Sequence, residues 1–220
     1  KNKSGVFHYE DICEKNNIKV EHVNNINDIS TCDFIHSFNV DLLFVIGWGQ
    51  ILKDNVLKIP KIGVVGAHAS LLPDYKGSAP INWAIINGLN VTGNSLMWLS
   101  NKLDGGDIID QKKFDINPYD DCNSLYLKVA KTNSLMITKL LLDLVHGKNI
   151  NTTEQTEDNR LMLKRRQASD GLIDWSKSSN DVYTFIRGIT KPYPGAFSFL
   201  NNKKYIIWKV SLMNCVKLKE

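Results

Sequence analysis

His68 and Asp104 are the first side chains in this chain whose types and settings suit proton traffic. His68 follows Ile62-Gly-Val-Val-Gly, an apolar run that reads as a buried strand, and open α/β sheets place their working groups just past such strand ends. An imidazole ordinarily titrates near neutrality, which fits it to take and return a proton. The plainer reading is a histidine that holds its loop. Asp104 opens Asp-Gly-Gly-Asp, where the glycines let backbone swing close to another group. Alone it reads as a turn initiator, and so does Asp107. Together, a histidine from one loop and a carboxylate from another would form a proton-transfer pair, the carboxylate fixing the tautomer and charge of the ring.

Other chemistry is set aside. Ser70 lacks the GxSxG elbow of a nucleophile and reads as a loop hydrogen-bonder. No GxGxxG or GxxxxGK[ST] occurs, so no phosphate-cradling glycine loop is visible. The four cysteines (Cys13, Cys32, Cys122, Cys215) show neither CxxC nor Cys/His ligand spacing, which argues against zinc and against a disulfide framework and for reduced thiols in a cytoplasm. Arg165-Arg166 reads as a solvated face, with phosphate contact as the alternative. The tryptophans read as core, except Trp48 in the loop just after a strand.

The elements that must position these residues follow from pattern. A helix is expected from Tyr9 to Asn17, then a second, capped by Asp28 or Ser30 and ending near Phe38. Leu42–Ile46 and Ile62–Gly66 read as strands buried on both faces. Pro80 suits the first turn of a helix that stops at Gly88. Thr92–Leu99 and Ile108–Ile116 read as strands flanking the Asp104 turn. Asp121 or Asn123 would cap the longest helix, Ser124 to about Val145, whose leucines form one stripe and which Gly147 closes. The fold class expected is α/β: an open Rossmann-like, mostly parallel sheet with helices on both faces, plus a small β-rich C-terminal module.

The 220 residues are 43% hydrophobic and 23% charged, enough for a core and too ordered in pattern for wholesale disorder. Residues 1–159 carry 15 Lys/Arg against 19 Asp/Glu, while residues 160–220 carry 12 against four, so a net charge of +4 hides an acidic body and a basic tail. No apolar run approaches the ~20 residues of a membrane helix and no signal peptide opens the chain, so a cytoplasmic protein is expected. Residues 1–147 read as a main domain, 148–160 as a polar linker, and 161–220 as a small module with a helix at Asn180–Ile189. That module closes on a hairpin turning at Asn201-Asn202. A module of that size has a thin core and is expected to lean on the main domain.

His68-Ala-Ser-Leu-Leu-Pro-Asp-Tyr-Lys-Gly, then Ala79-Pro80-Ile-Asn-Trp-Ala and Leu103-Asp-Gly-Gly-Asp, resembles the 10-formyltetrahydrofolate-dependent formyltransferases over nearly the whole chain, Tyr9 to Val210. The tail, with Asp170-Gly-Leu-Ile-Asp-Trp and Pro192-Tyr-Pro-Gly-Ala-Phe, is similar to the C-terminal domain of two-domain members. Gly77-Ser-Ala-Pro-Ile-Asn-Trp-Ala-Ile-Ile-Asn-Gly is most like the members that formylate an amino sugar on a nucleotide carrier, aminoarabinose formyltransferases among them. Family members open with a β-α-β unit, and nothing before Tyr9 matches it. Lys1 is therefore expected to begin mid-domain and the C-terminal module to stop early.

The resemblance implies a catalytic Asn, His and Asp. His68 matches the His and Asp104 the Asp, whereas the Asn, two residues before the His, is Gly66 here. It further implies that His68, as imidazolium, stabilises the oxyanion formed when an amine attacks the formyl group, and that Asp104 holds that ring and helps take the amine's proton. Losing one oxyanion donor typically costs ~10²–10³ in rate. Three outcomes are therefore expected at Gly66: a weakened enzyme, one with a substitute donor or water, or a homologue that binds folate or nucleotide without the chemistry. The donor, 10-formyltetrahydrofolate, would sit against Trp48, Gln50, Ile51 and Leu52, with Leu99 and the turn to Asp104 on the other side. The amine substrate implied first is a nucleotide-linked amino sugar. Methionyl-tRNA is the alternative that the basic tail keeps open, and transfer of the formyl group to water is a third. A homodimer is compatible with all three.

Overall fold

A computed structural model of the chain describes residues 9–156 and 162–213. Two short helices come first. Glu10–Lys15 (α1) has Glu10 and Asp11 in its first turn and Lys15 in its last, the charge order a helix dipole favours. Ile29–His36 (α2) starts at Asp28, whose carbonyl accepts from Cys32 at 2.9 Å. The Asp28 carboxylate does not cap the helix; it accepts from Asn25 Nδ2 at 2.7 Å instead.

Strand Leu42–Val45 (β1), helix Asp54–Leu57 (α3), strand Gly63–His68 (β2), helix Pro80–Ile86 (α4), strands Val91–Trp98 (β3) and Ile108–Asp115 (β4), and helix Cys122–Val145 (α5) follow in order. The four strands form one sheet, β1-β2-β3-β4. Helices cover both faces, as expected. Val65 and Leu96 pack with Met136 and Leu140 of α5 on one side, and Val64 packs with Leu52 and Val56 of the α3 region and Ile35 of α2 on the other. Strand direction is more mixed than the expected pattern: β1 and β2 run parallel, while β2–β3 and β3–β4 are antiparallel. The β3–β4 connection through the Asp104 turn is too short for a parallel crossover, which needs a dozen or more residues.

The C-terminal part holds a 3-10 turn at Ala168–Gly171, helix Ser179–Gly188 (α6), and strands Ala196–Leu200 (β5) and Lys203–Ile207 (β6). The β5–β6 hairpin turns at Asn201 and Asn202, both left-handed at φ 49° and 60°, the backbone of a type I′ turn that asparagine tolerates. Its core of Ile173, Ile186, Ile189 and Ala196 is completed by Ile86 of α4, and Asn82 Nδ2 donates to Gly188 O at 2.7 Å. The stretch expected as a linker is packed at its front: Thr153 and Ile108 exchange two backbone hydrogen bonds of 2.8 Å each, and Gln155 is buried. Its residues 157–160, and Cys215, lie outside the described residues. Among the described residues no helix is long and apolar enough to cross a membrane.

Candidate active site

β2 delivers His68 because its residues alternate between the two covered faces. Val65 and Ala67 turn toward α5, so Val64, Gly66 and His68 turn the other way. The loop that follows is pinned to the sheet by hydroxyls and an amide. Ser70 Oγ donates to Asp74 O (2.7 Å), Ser95 Oγ donates to Ser70 O (2.6 Å), and Gln111 Nε2 donates to Leu72 O (2.7 Å). Ser70 is thus the loop hydrogen-bonder its sequence context implied. The loop folds Tyr75 back over the imidazole, and His68 Nε2 lies 2.8 Å from Tyr75 O.

Asp104 comes to the same point from the β3–β4 turn. Its Oδ1 is 3.5 Å from His68 Nδ1, and its Oδ2 accepts from Gly77 N at 2.8 Å. The pair is mostly buried, at 9% and 14% side-chain exposure. Tyr75 O can only accept, so His68 Nε2 must carry a proton to bond it, and the other ring nitrogen faces a carboxylate. Asp107, the lesser candidate, is not in this contact; its carbonyl accepts from Trp98 N.

The pair opens onto a cavity of about 520 Å³. Trp48, Gln50, Ile51, Leu52 and Leu99, the residues expected to bind the donor, all line it with Gly66, His68 and Asp104. Two of them also have structural work. The Gln50 amide clamps the Asn24–Ile26 loop, accepting from Ile26 N and donating to Asn24 O at 2.8 Å each. Leu52 is 6% exposed and packs with Val56 and Val64. At Gly66 a Cβ would lie 2.5 Å from Leu99 Cδ2 and 2.9 Å from its Cγ, so a side chain there requires Leu99 to turn aside. Leu99 lines the same cavity as His68.

A second cavity, about 740 Å³, adjoins the first and shares Ser78 and Arg165 with it. Sequence reasoning missed this junction. Leu163 N bonds Lys76 O (2.7 Å) and Ser78 N bonds Leu163 O (3.0 Å), so the chain before Arg165 is tied to the loop after His68. Gly77 makes that approach possible: its φ is 106°, and a Cβ would meet Leu163 O at 2.6 Å. The Arg165-Arg166 pair is not wholly a solvated face. Arg166 is half-buried, with its guanidinium 5.0 Å from the Trp83 ring and 5.6 Å from Phe185 and its Nη2 donating to Asp170 O at 2.7 Å. Burial holds that guanidinium below its ordinary pKa. Tyr126 and Tyr193 also line this cavity, their hydroxyls bonded to each other, and burial pushes both phenols up, so both stay neutral at physiological pH. Cys122, by contrast, is a packing group, its thiol pushed up to about 12 by burial.

Three comparisons bear on this site. A bifunctional polymyxin resistance protein, ArnA, of Wigglesworthia glossinidia brevipalpis is 40% identical over 89% of this chain and 30% of its own. The methionyl-tRNA formyltransferase of Geotalea uraniireducens is 36% identical over 90% of this chain and 63% of its own. The chain thus spans under two thirds of the length of either relative. Among solved structures, a 4-N formyltransferase from Francisella tularensis superposes with a TM-score of 0.74 at 19% identity, covering 94% of this chain and 82% of that one. WlaRD, a sugar 3N-formyl transferase seen with dTDP and 5-N-formyl-THF, gives 0.67 at 24% identity, covering 90% and 68%; both likenesses speak to the fold. Residues 11–141 match the formyl transferase family and residues 166–219 the formyl transferase C-terminal domain, which together take in β1 to β6 and the cavity linings apart from Met162, Leu163 and Arg165, and the chain belongs to that family.

Proposed function

We propose that this chain moves a formyl group from 10-formyltetrahydrofolate to the amine of a nucleotide-linked amino sugar. One observation carries the reading. The His68–Asp104 pair lies in a cavity that shares Ser78 and Arg165 with a second one, so a donor and an amine held one in each would meet beside the pair. The first cavity suits a folate: Trp48, Ile51 and Leu99 offer apolar walls to a flat ring, and Gly47 and Gly49 bring main-chain polar groups to its lip. The second suits a nucleotide diphosphate, with Arg165 and Arg166 for the phosphates and two neutral tyrosine hydroxyls for polar contacts.

In this reading the amine attacks the formyl carbon and a C–N bond forms. His68 sets its positive ring beside the oxyanion that develops, and Asp104 holds the ring and takes the proton the amine sheds. That proton then goes to the folate nitrogen as the old C–N bond breaks. Leu99 over Gly66 leaves no side-chain amide for the oxyanion at that position, so a modest kcat is expected. Among the described residues the thiols of Cys13, Cys32 and Cys122 are unpaired, which favours a reducing cytoplasm as the compartment.

The test is formyl transfer from 10-formyltetrahydrofolate to a panel of UDP- and dTDP-linked amino sugars, followed by product mass. Turnover is expected with at least one, and Asp104→Asn should lower it about 10²–10⁴-fold. A second reading, methionyl-tRNA as the amine substrate, is favoured by the tRNA-formyltransferase relative and by the 12 Lys/Arg against four acids in residues 160–220. It predicts binding that falls steeply with salt. Turnover of methionyl-tRNA with none of any amino sugar would replace the first reading with the second.

A further inference from the structure

We infer that Gln155, in the stretch that joins the two matched parts of the chain, is a positioning residue for Asp104. The inference rests on the role given to Asp104 above. Asp104 is left-handed at φ 48°, a backbone state that costs a non-glycine residue something and persists where surroundings hold it. Two things hold it. On one side the turn is pressed against β3: Trp98 N bonds Asp107 O at 2.9 Å, and Gly106 lies so near that a Cβ would fall 1.7 Å from Trp98 O. On the other side Gln155 Nε2 donates to Asp104 O at 3.0 Å and to Gly106 O at 2.6 Å, using both amide hydrogens on the turn.

The clamp is itself anchored. Two residues earlier, Thr153 exchanges both backbone hydrogen bonds with Ile108 at the start of β4. Gln155 is buried, and its Oε1 has no hydrogen-bond partner among the described residues. An orphaned buried carbonyl is destabilising, so the position is not explained as ordinary polar packing. What the amide does there is donate to the carbonyl of Asp104 itself and to that of Gly106, tying down the turn just after the Asp104 side chain. With that turn fixed, Asp104 Oδ2 reaches Gly77 N and Oδ1 faces His68 Nδ1. Released, the turn can relax its left-handed residue and swing the carboxylate off both.

Gln155→Met keeps the length and removes both donors. Amide exchange at Gly77 reads Asp104's position without any turnover, because Gly77 N–H is protected by Asp104 Oδ2. In Gln155→Met, Gly77 exchange should quicken about tenfold. In Val129→Ala, a core change in α5 that lowers thermal stability without touching the turn, it should not. Where transfer is measurable, Gln155→Met should lower kcat about 10²-fold with the donor KM little changed. Unaltered Gly77 exchange, or exchange quickened equally by Val129→Ala, overturns the inference. So does a kcat within twofold of the parent. If the parent itself transfers no formyl group, the proposed function fails and the exchange experiment still decides the role of Gln155.

Discussion

The wall beside His68 is hydrocarbon because two positions have been settled together. Leu99 reaches into the space above Gly66: in its present position it would meet a side chain at 66, and either Leu99 turns aside or 66 stays without a Cβ. Installing an amide by Gly66→Asn therefore forces an overpacked contact, which should destabilise the fold by about 1–3 kcal/mol and bring no gain in rate. Leu99→Ala should open the space. The double variant is expected to recover stability relative to Gly66→Asn and to transfer formyl groups about 10²-fold faster than the parent, a coupling that a double-mutant cycle in Tm and in kcat/KM measures directly. Gly66→Asn gaining as much alone as with Leu99→Ala would show the two positions to be independent. At this scale what was legible is that two candidate side chains, from separate segments, meet. His68 and Asp104 announced themselves by type, by their place after a strand and before a glycine pair, and by family resemblance. Gln155 did not: in a polar run a clamping glutamine has the same letters as a solvated one, and only the fold brings it to the Asp104 turn.

Among the elements, α5 was legible at both ends because its signals are local. Asp121 accepts from Ser124 N at 2.8 Å while Ser124 Oγ accepts from Asp121 N at 3.1 Å, a reciprocal cap readable in four letters. The four-residue α3 and the 3-10 turn at Ala168–Gly171 were not, since a single turn shows no periodicity. What the sequence pattern could not reveal at α5 is Asp120, one residue before the cap. Its carboxylate accepts from Lys128 Nζ (2.6 Å), Ser124 Oγ (2.7 Å) and Asn117 N (2.8 Å), and its own carbonyl accepts from Arg187 of α6 (2.6 Å). Burial works to raise this carboxyl, and the three donors outweigh it and hold it below the usual carboxylate range. A carboxyl depressed on folding stabilises the fold above its unfolded pKa of about 4 and loses that contribution as pH falls through the lower folded value. Asp120→Ala should thus cost about 2 kcal/mol at pH 7, and the gap between variant and parent should narrow as the medium is acidified below pH 4. Urea unfolding at several pH values checks this. A gap that stays constant into strong acid would mean that the carboxylate's charge contributes nothing.

For the molecule as a whole, the decisive contact is the one between α4 and α6, which no local pattern announces. Asn82 and Gly188 stand 106 positions apart, yet the Asn82 amide donates to the Gly188 carbonyl in a fully buried bond. Ile86 from the same helix completes the core of the C-terminal part, which alone would have little hydrophobic interior. The second cavity draws Ser78 and Asn82 from before α5 and Tyr193 and Gly195 from after α6, so it exists only while the two parts are docked. Chain parts that share a core should unfold together. Thermal unfolding followed by tryptophan fluorescence, with Trp98 in β3 and Trp208 beyond β6 as reporters in single-tryptophan variants, should give coincident curves. Asn82→Ala leaves a buried carbonyl without its partner and a small void, a loss of about 2–3 kcal/mol. Because the bond joins both parts, that loss should lower the two curves by the same amount. Curves that separate, with only Trp208 moving, would mean that the main part is stable without the C-terminal one, and the second cavity would then open and close without disturbing the His68–Asp104 pair.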